Sequence, residues 1–103
     1  MPRREDATNL RHPYVAGAAI VVALTRWSQD LSYQIGDETR RVKGLTIRDL
    51  KDALDEHVTP NGVRWTLPGL RRACTRLVQA RICRRVTTTG PNGLYAIYYL
   101  PGD

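Results

Sequence analysis

Gly90-Pro-Asn-Gly93 stands between two runs rich in β-branched and aromatic residues, Ile82 to Thr89 and Leu94 to Leu100. Asn-Gly flanked by such runs is the strongest short-range signal for a hairpin, whether the loop holds two residues or four. Strand alternation then sets Val86, Tyr95, Ile97 and Tyr99 on one face and Arg85, Thr87 and Thr89 on the other. The segment leading straight into the hairpin has a different period. Leu70, Cys74, Leu77 and Val78 recur at helical spacing, Thr66 stands where an N-cap is needed, and Pro68 is tolerated in the first turn. A helix from Thr66 to about Ala80 that runs directly into a hairpin must bury both elements against whatever precedes them.

What precedes them reads as two more helices. Pro13 sets the start of the first, which runs from Tyr14 to about Leu31. Ile20, Leu24, Trp27 and Leu31 make one apolar stripe, and Val15, Ala18, Ala19, Val22 and Ala23 make a second beside it. A helix apolar over so much of its surface is covered from more than one side. One cover is the core; the other is either the rest of the same chain or a second copy of it. Ser32 to Gly44 is polar and reads as a loop with at most a short strand near Val42 to Leu45. Thr46-Ile-Arg-Asp49 is a capping box, and Ile47, Leu50, Ala53, Leu54 and Val58 follow it as the buried stripe of the second helix. Asp55 and Glu56 near the C-terminal end of that helix oppose its dipole, so an arginine partner is expected, Arg64 or Arg81. Pro60-Asn-Gly62 breaks the chain before the third helix. The expected fold class is mainly α with a small β-hairpin: a basic N-terminal arm over residues 1–13, then one domain over residues 14–103 made of three helices and a C-terminal hairpin.

A chain of 103 residues closes one modest core and leaves no room for a separate catalytic or sensing domain. Sixteen basic residues against ten acidic ones give a net charge of +6. Fourteen of the sixteen are arginine, which forks to phosphate and guanine where lysine offers a point charge. The partner this implies is anionic, although a GC-rich genome also raises arginine over lysine, and it is the clustering that decides. Cys74 and Cys83 form no CxxC pair and have no histidine nearby, so they read as small buried hydrophobes of a reducing cytoplasm. His12 and His57 have no companions for a metal site or a triad, Asp37 and Glu38 read as solvated loop acids, and no nucleophile has a base at a suggestive spacing. The expectation is a non-enzyme without metal or cofactor. The apolar run Tyr14 to Leu24 is about half a bilayer span. Arg26 and Trp27 follow it in place of a cleavage site, so neither export nor a membrane is expected.

The order helix, helix, helix, hairpin resembles the winged helix-turn-helix family, particularly the MarR-like and ArsR-like bacterial regulators. Leu45-Thr-Ile-Arg-Asp-Leu-Lys-Asp-Ala-Leu54 carries the resemblance for the second helix, and Thr66-Leu-Pro-Gly-Leu-Arg-Arg-Ala-Cys-Thr-Arg-Leu-Val-Gln-Ala-Arg-Ile82 for the third. Thr66 stands where the family places the serine that opens its recognition helix. Arg81 stands where the family usually has glycine, the 58–64 connection is longer than usual, and no helix follows the hairpin. The resemblance implies a small transcriptional regulator, a repressor, that binds double-stranded DNA with the third helix in the major groove and the hairpin as a wing on the backbone.

With Leu70, Cys74, Leu77 and Val78 inward, a rotation of 100° per residue turns Arg71, Arg72, Thr75, Arg76 and Gln79 outward. These are residue types that read base edges and grip phosphate. They face either a DNA groove or plain solvent. Thr66 at the start of the third helix, Arg48 in the first turn of the second, Arg84 and Arg85 at the base of the wing, and Asn92 with Thr87, Thr88 and Thr89 toward its tip complete the expected contact set. Trp65 reads as a core staple. A homodimer through the first helix is expected, with no small-molecule effector. The competing reading is a winged-helix module that binds protein in a replication, transcription or phage assembly, its arginines meeting acidic side chains. Structured RNA has less support, because no aromatic array for stacking unpaired bases is present.

Overall fold

The computed structural model describes residues 13–59 and 64–102. The expected N-terminal arm, apart from Pro13, and the Pro60-Asn-Gly62 breaker lie outside them. The elements are α1 (Pro13–Trp27), β1 (Gln29–Ile35), β2 (Glu38–Thr46), α2 (Ile47–Ala53) continued by a wider π turn over Leu54–Val58, α3 (Leu67–Gln79), β3 (Arg84–Gly90) and β4 (Gly93–Tyr99). The four strands form one antiparallel sheet in the order β1-β2-β4-β3. The expectation of a mainly helical chain with a small hairpin is therefore overturned: the protein is α+β, with strands over much of the segment read as loop.

The first helix stops at Trp27 rather than near Leu31. Thr25 Oγ1 donates to the Val21 carbonyl at 2.8 Å and Ser28 Oγ to the Leu24 carbonyl at 2.5 Å, occupying acceptors of the last turn. Leu31, Tyr33 and Ile35 then alternate with Ser32 and Gln34, a period of two that a helical stripe ending at Leu31 concealed. The partner strand offers only Val42 as a large apolar residue before Gly44, so its pattern signalled no more than the short strand expected near Val42 to Leu45, which is the end of a nine-residue strand. Gly36-Asp37 joins the two as a two-residue loop between the paired residues Ile35 and Glu38, and Gly36 supplies the required positive φ of 59°.

β2 serves both hairpins. It pairs with β1 from Glu38 to Gly44, and its last two residues pair with β4, Leu45 opposite Tyr98 and Thr46 opposite Ile97. Gly44 sits at the switch, where a Cβ would lie 2.3 Å from the Tyr98 carbonyl oxygen, so no larger residue fits. The outer strands also meet: the Gln34 amide donates to Thr88 Oγ1 at 3.2 Å. The first hairpin thus folds across the second, with their bases together at Gly44 and Tyr99 and Gln34 brought beside the outer half of β3. That cover explains why Ile97 and Thr88 are buried although Ile97 stands apart from the helix-facing core.

The core lies between the helices and the other sheet face. Ile20, Ala23 and Leu24 of α1, Leu50 and Leu54, Leu70, Cys74 and Leu77 of α3, and Leu45 and Tyr98 of the sheet form it. A fully buried leucine or isoleucine contributes about 1.5–3 kcal/mol, so these positions dominate the stability. Trp65 is buried as expected, its Nε1 donating to Thr59 Oγ1 at 2.8 Å and its amide to Asp55 Oδ1 at 3.1 Å. The arginine partner expected for Asp55 is not there. Lys51, one turn back, reaches Asp55 Oδ2 at 2.6 Å, and the Trp65 amide takes the other oxygen. Glu56 lies 3.8 Å from His57, whose ring stacks on Trp27 with centroids 4.6 Å apart.

Candidate nucleic-acid interface

Two N-caps orient the basic residues. Thr46 Oγ1 accepts from the Asp49 amide at 3.2 Å and Thr66 Oγ1 from the Gly69 amide at 3.1 Å, so both threonines cap as expected, while among the described residues the Asp49 carboxylate does not complete the capping box. Thr66 is exposed; its Oγ1 accepts the cap bond, and its O–H remains a donor. From these starts Arg48 projects at the beginning of α2 and Arg71 from the first half of α3. Both line a concave cleft of about 570 Å³ whose opposite wall is the tip of the β3–β4 hairpin, Gly90 to Ala96, with Asn92 and Leu94 among the lining. Among the described residues, no carboxylate lines this cleft. The electrostatics are therefore those of two guanidiniums, an amide side chain and an apolar wall.

The other expected residues divide differently. Leu70, Cys74 and Leu77 are the buried residues of α3, and Arg72, Arg76 and Gln79 are exposed on the side away from them. Thr75 is half-buried at the margin. Arg71 turns about 100° away from Arg72, which sets it on the cleft side, apart from the outward group. Arg84 and Arg85 do not act together. Arg85 stands opposite Tyr98 on the helix-facing side of the sheet, and Arg84 opposite Tyr99 on the side that carries Val86 and Ile97. Among the described residues, no carboxylate is within salt-bridge distance of Arg48, Arg71, Arg72, Arg76, Arg84 or Arg85.

Alternation had set Arg85, Thr87 and Thr89 on one wing face, and the register confirms that grouping. The other expectation, that Thr88 serves as a contact near the tip, is corrected: it is buried and bonded to Gln34. Sequence reasoning also missed Leu94, which is 75% exposed at the start of β4. Period two joins Leu94 to Ala96 and Tyr98 in the sequence, but that the helices cover this side of the strand and end short of Leu94 is a fact of the packing. The basic residues Arg40, Arg41 and Lys43 of β2 were missed with the strand itself. Arg40 pairs with Glu38 at 3.0 Å.

Cys74 and Cys83 are buried and unbonded. Burial pushes the Cys74 thiol up to about 12, the neighbouring Cys83 adds to the rise, and Arg85 works against it. Cys83 is raised for the same reason of burial. Burial thus disfavours the thiolate form of both cysteines. Among the described residues, no three His, Cys, Asp or Glu side chains are grouped to hold a metal ion, and no helix is long and apolar enough to cross a membrane. Comparisons with models of protein families, with curated proteins and with solved structures find no match to this chain.

Proposed function

We propose that this chain binds double-stranded DNA in the manner of a winged helix and acts in the cytoplasm as a small transcriptional regulator, a repressor, working as a homodimer. One observation carries the reading: the starts of α2 and α3 and the tip of the β3–β4 hairpin converge on a cleft that holds Arg48, Arg71 and Asn92 and, among the described residues, no carboxylate. Beside it, α3 presents Arg72, Arg76 and Gln79 to the outside. In this reading Arg72 and Arg76 reach base edges in the major groove, Arg48 and Arg71 hold the phosphate strand between major and minor grooves, and Asn92 follows it with the wing. Arg85 adds a backbone contact at the base of the wing. The larger sheet is compatible with this arrangement, because the first hairpin covers the wing face that carries Ile97 and leaves the cleft side open.

Binding of a random duplex, measured by fluorescence anisotropy over a range of salt, tests the reading. Each neutralised phosphate contributes about 0.9 to the slope of log K against log salt, so affinity falls steeply as salt rises. A folded protein that leaves the duplex free at low salt, or binds it with no salt dependence, overturns the proposal and puts a protein partner with an acidic surface in its place.

A further inference from the structure

We propose that Leu94 is a wedge that enters the minor groove of bound duplex DNA and bends it. The proposal rests on the DNA-binding reading above and names what the wing does in that complex. Leu94 is the most exposed of the large apolar residues among those described, 75% against 38–49% for Tyr95, Val22, Ile82 and Ile35. It is not the side chain of a free loop. Leu94 pairs in register with Thr89, directly after Gly93, whose φ of 107° turns the chain into β4, and Pro91 stiffens the loop before it. Its side of the strand is the one that carries Ala96 and Tyr98 against the helices. The stripe therefore runs out of the core and ends, uncovered, on the cleft wall that faces Arg48 and Arg71.

A ligand that fills the cleft must be anionic on the side of the two guanidiniums and apolar on the side of Leu94. A duplex offers this combination where a phosphate strand borders the minor groove, since sugar edges and stacked base faces lie just inside the charged rim. Leucine and proline are among the side chains that wedge between base steps there, and such wedges kink the duplex by about 20–90° toward the major groove. Pro91 at the tip and Leu94 on the cleft wall present both from one hairpin. The strand holding Leu94 is braced from behind, because Thr88 and Ile97 are buried under the first hairpin. A wedge needs that stiffness.

The test uses a short duplex carrying a fluorescence donor at one end and an acceptor at the other, titrated with the full chain. Wild type raises energy transfer on binding. Leu94→Ala, which melts as wild type does because the residue is exposed, binds but leaves transfer near the value of free DNA, and Leu94→Phe restores the rise. Arg48→Ala binds more weakly, yet its saturated complex bends as far as that of wild type. Wild type that saturates the duplex without changing transfer overturns the wedge, as does Leu94→Ala bending DNA fully. If Leu94→Ala loses binding altogether, recovery of binding and bend by Leu94→Phe upholds the wedge, and failure to recover overturns it. Wild type that does not bind any duplex defeats the DNA-binding reading itself, a result distinct from binding without bending.

Discussion

Arg81 follows the C-cap of α3 with a φ of 63°, in the left-handed region that glycine occupies without cost. The hydrogen bonds around it are those of a Schellman motif: the Arg81 amide donates to the Val78 carbonyl at 3.0 Å and the Ile82 amide to the Leu77 carbonyl at 2.9 Å. The position where the winged-helix pattern carries glycine is thus one where this chain needs glycine-like geometry and builds it with arginine. A non-glycine residue there costs about 1–2 kcal/mol, and glycine returns part of the gain through a freer unfolded chain. Arg81→Gly is expected to raise stability by about 0.5–1 kcal/mol, read from chemical denaturation at constant m-value. An unchanged or lower stability means that the side chain makes contacts worth more than the strain. The arginine was plain in the sequence; that its backbone turns left could be inferred only by analogy, because nothing in an arginine announces a positive φ.

At the scale of elements, the two hairpins show how a turn is read too simply. Gly90-Pro-Asn-Gly93 does make the hairpin, but the loop residues are Pro91 and Asn92, between the paired Gly90 and Gly93. Proline cannot adopt the positive φ that a two-residue Asn-Gly loop needs at its first position, so the positive φ moves to Gly93. Gly90 lets the Tyr95 ring lie over the backbone, since a Cβ there would lie 2.6 Å from the ring and would push it aside. The helices were legible because their stripes and caps lie within one stretch of sequence. β1 and β2 were not, because their stability comes from pairing with each other and from covering Val86, Thr88 and Ile97, partners some fifty residues away in sequence. In α1, Ile20, Ala23 and Leu24 are buried, while Ala18 and Val22, one turn apart, are exposed. Val15, assigned to the same outer stripe, has no described side chain. The proposed homodimer uses this stripe, so Ala18→Glu with Val22→Glu is expected to give folded monomer by sedimentation velocity. A wild type that already sediments as a monomer at micromolar concentration removes the dimer from the proposal.

For the whole molecule, the consequence of the fold is a separation of the arginines that one helical run had placed together. Arg72 and Arg76 face outward, Arg71 faces the cleft beside Arg48, and Arg84 and Arg85 diverge to opposite faces of the sheet. Different kinds of contact follow in the DNA-binding reading. Arg72→Ala and Arg76→Ala are expected to weaken a selected site by about 1–3 kcal/mol more than random duplex, since a forked contact to guanine is lost. Arg48→Ala, Arg71→Ala and Arg85→Ala are expected to weaken all sequences alike and to lower the salt slope by about 1 each. Competition titrations against selected and random duplex at several salt concentrations check both. Equal loss on both DNAs for Arg72→Ala would move that residue to the backbone group, and no loss for any of the five would take DNA out of the reading.

The sequence by itself determined what depends on neighbours along the chain. The caps at Thr46 and Thr66, the buried stripe of α3, the burial of Trp65 and the existence of the C-terminal hairpin all rest on interactions within a few residues, which composition and spacing encode directly. Only the tertiary structure decided the four-stranded sheet, the bend at Gly44 and the cleft. A polar strand is a strand only when a partner accepts its hydrogen bonds, and a glycine is a close approach only when Tyr98 stands against it. The same holds for Leu94: only the packing of Ala96 and Tyr98 under the helices makes its side of the strand the core side, and only the end of that helical layer leaves it uncovered.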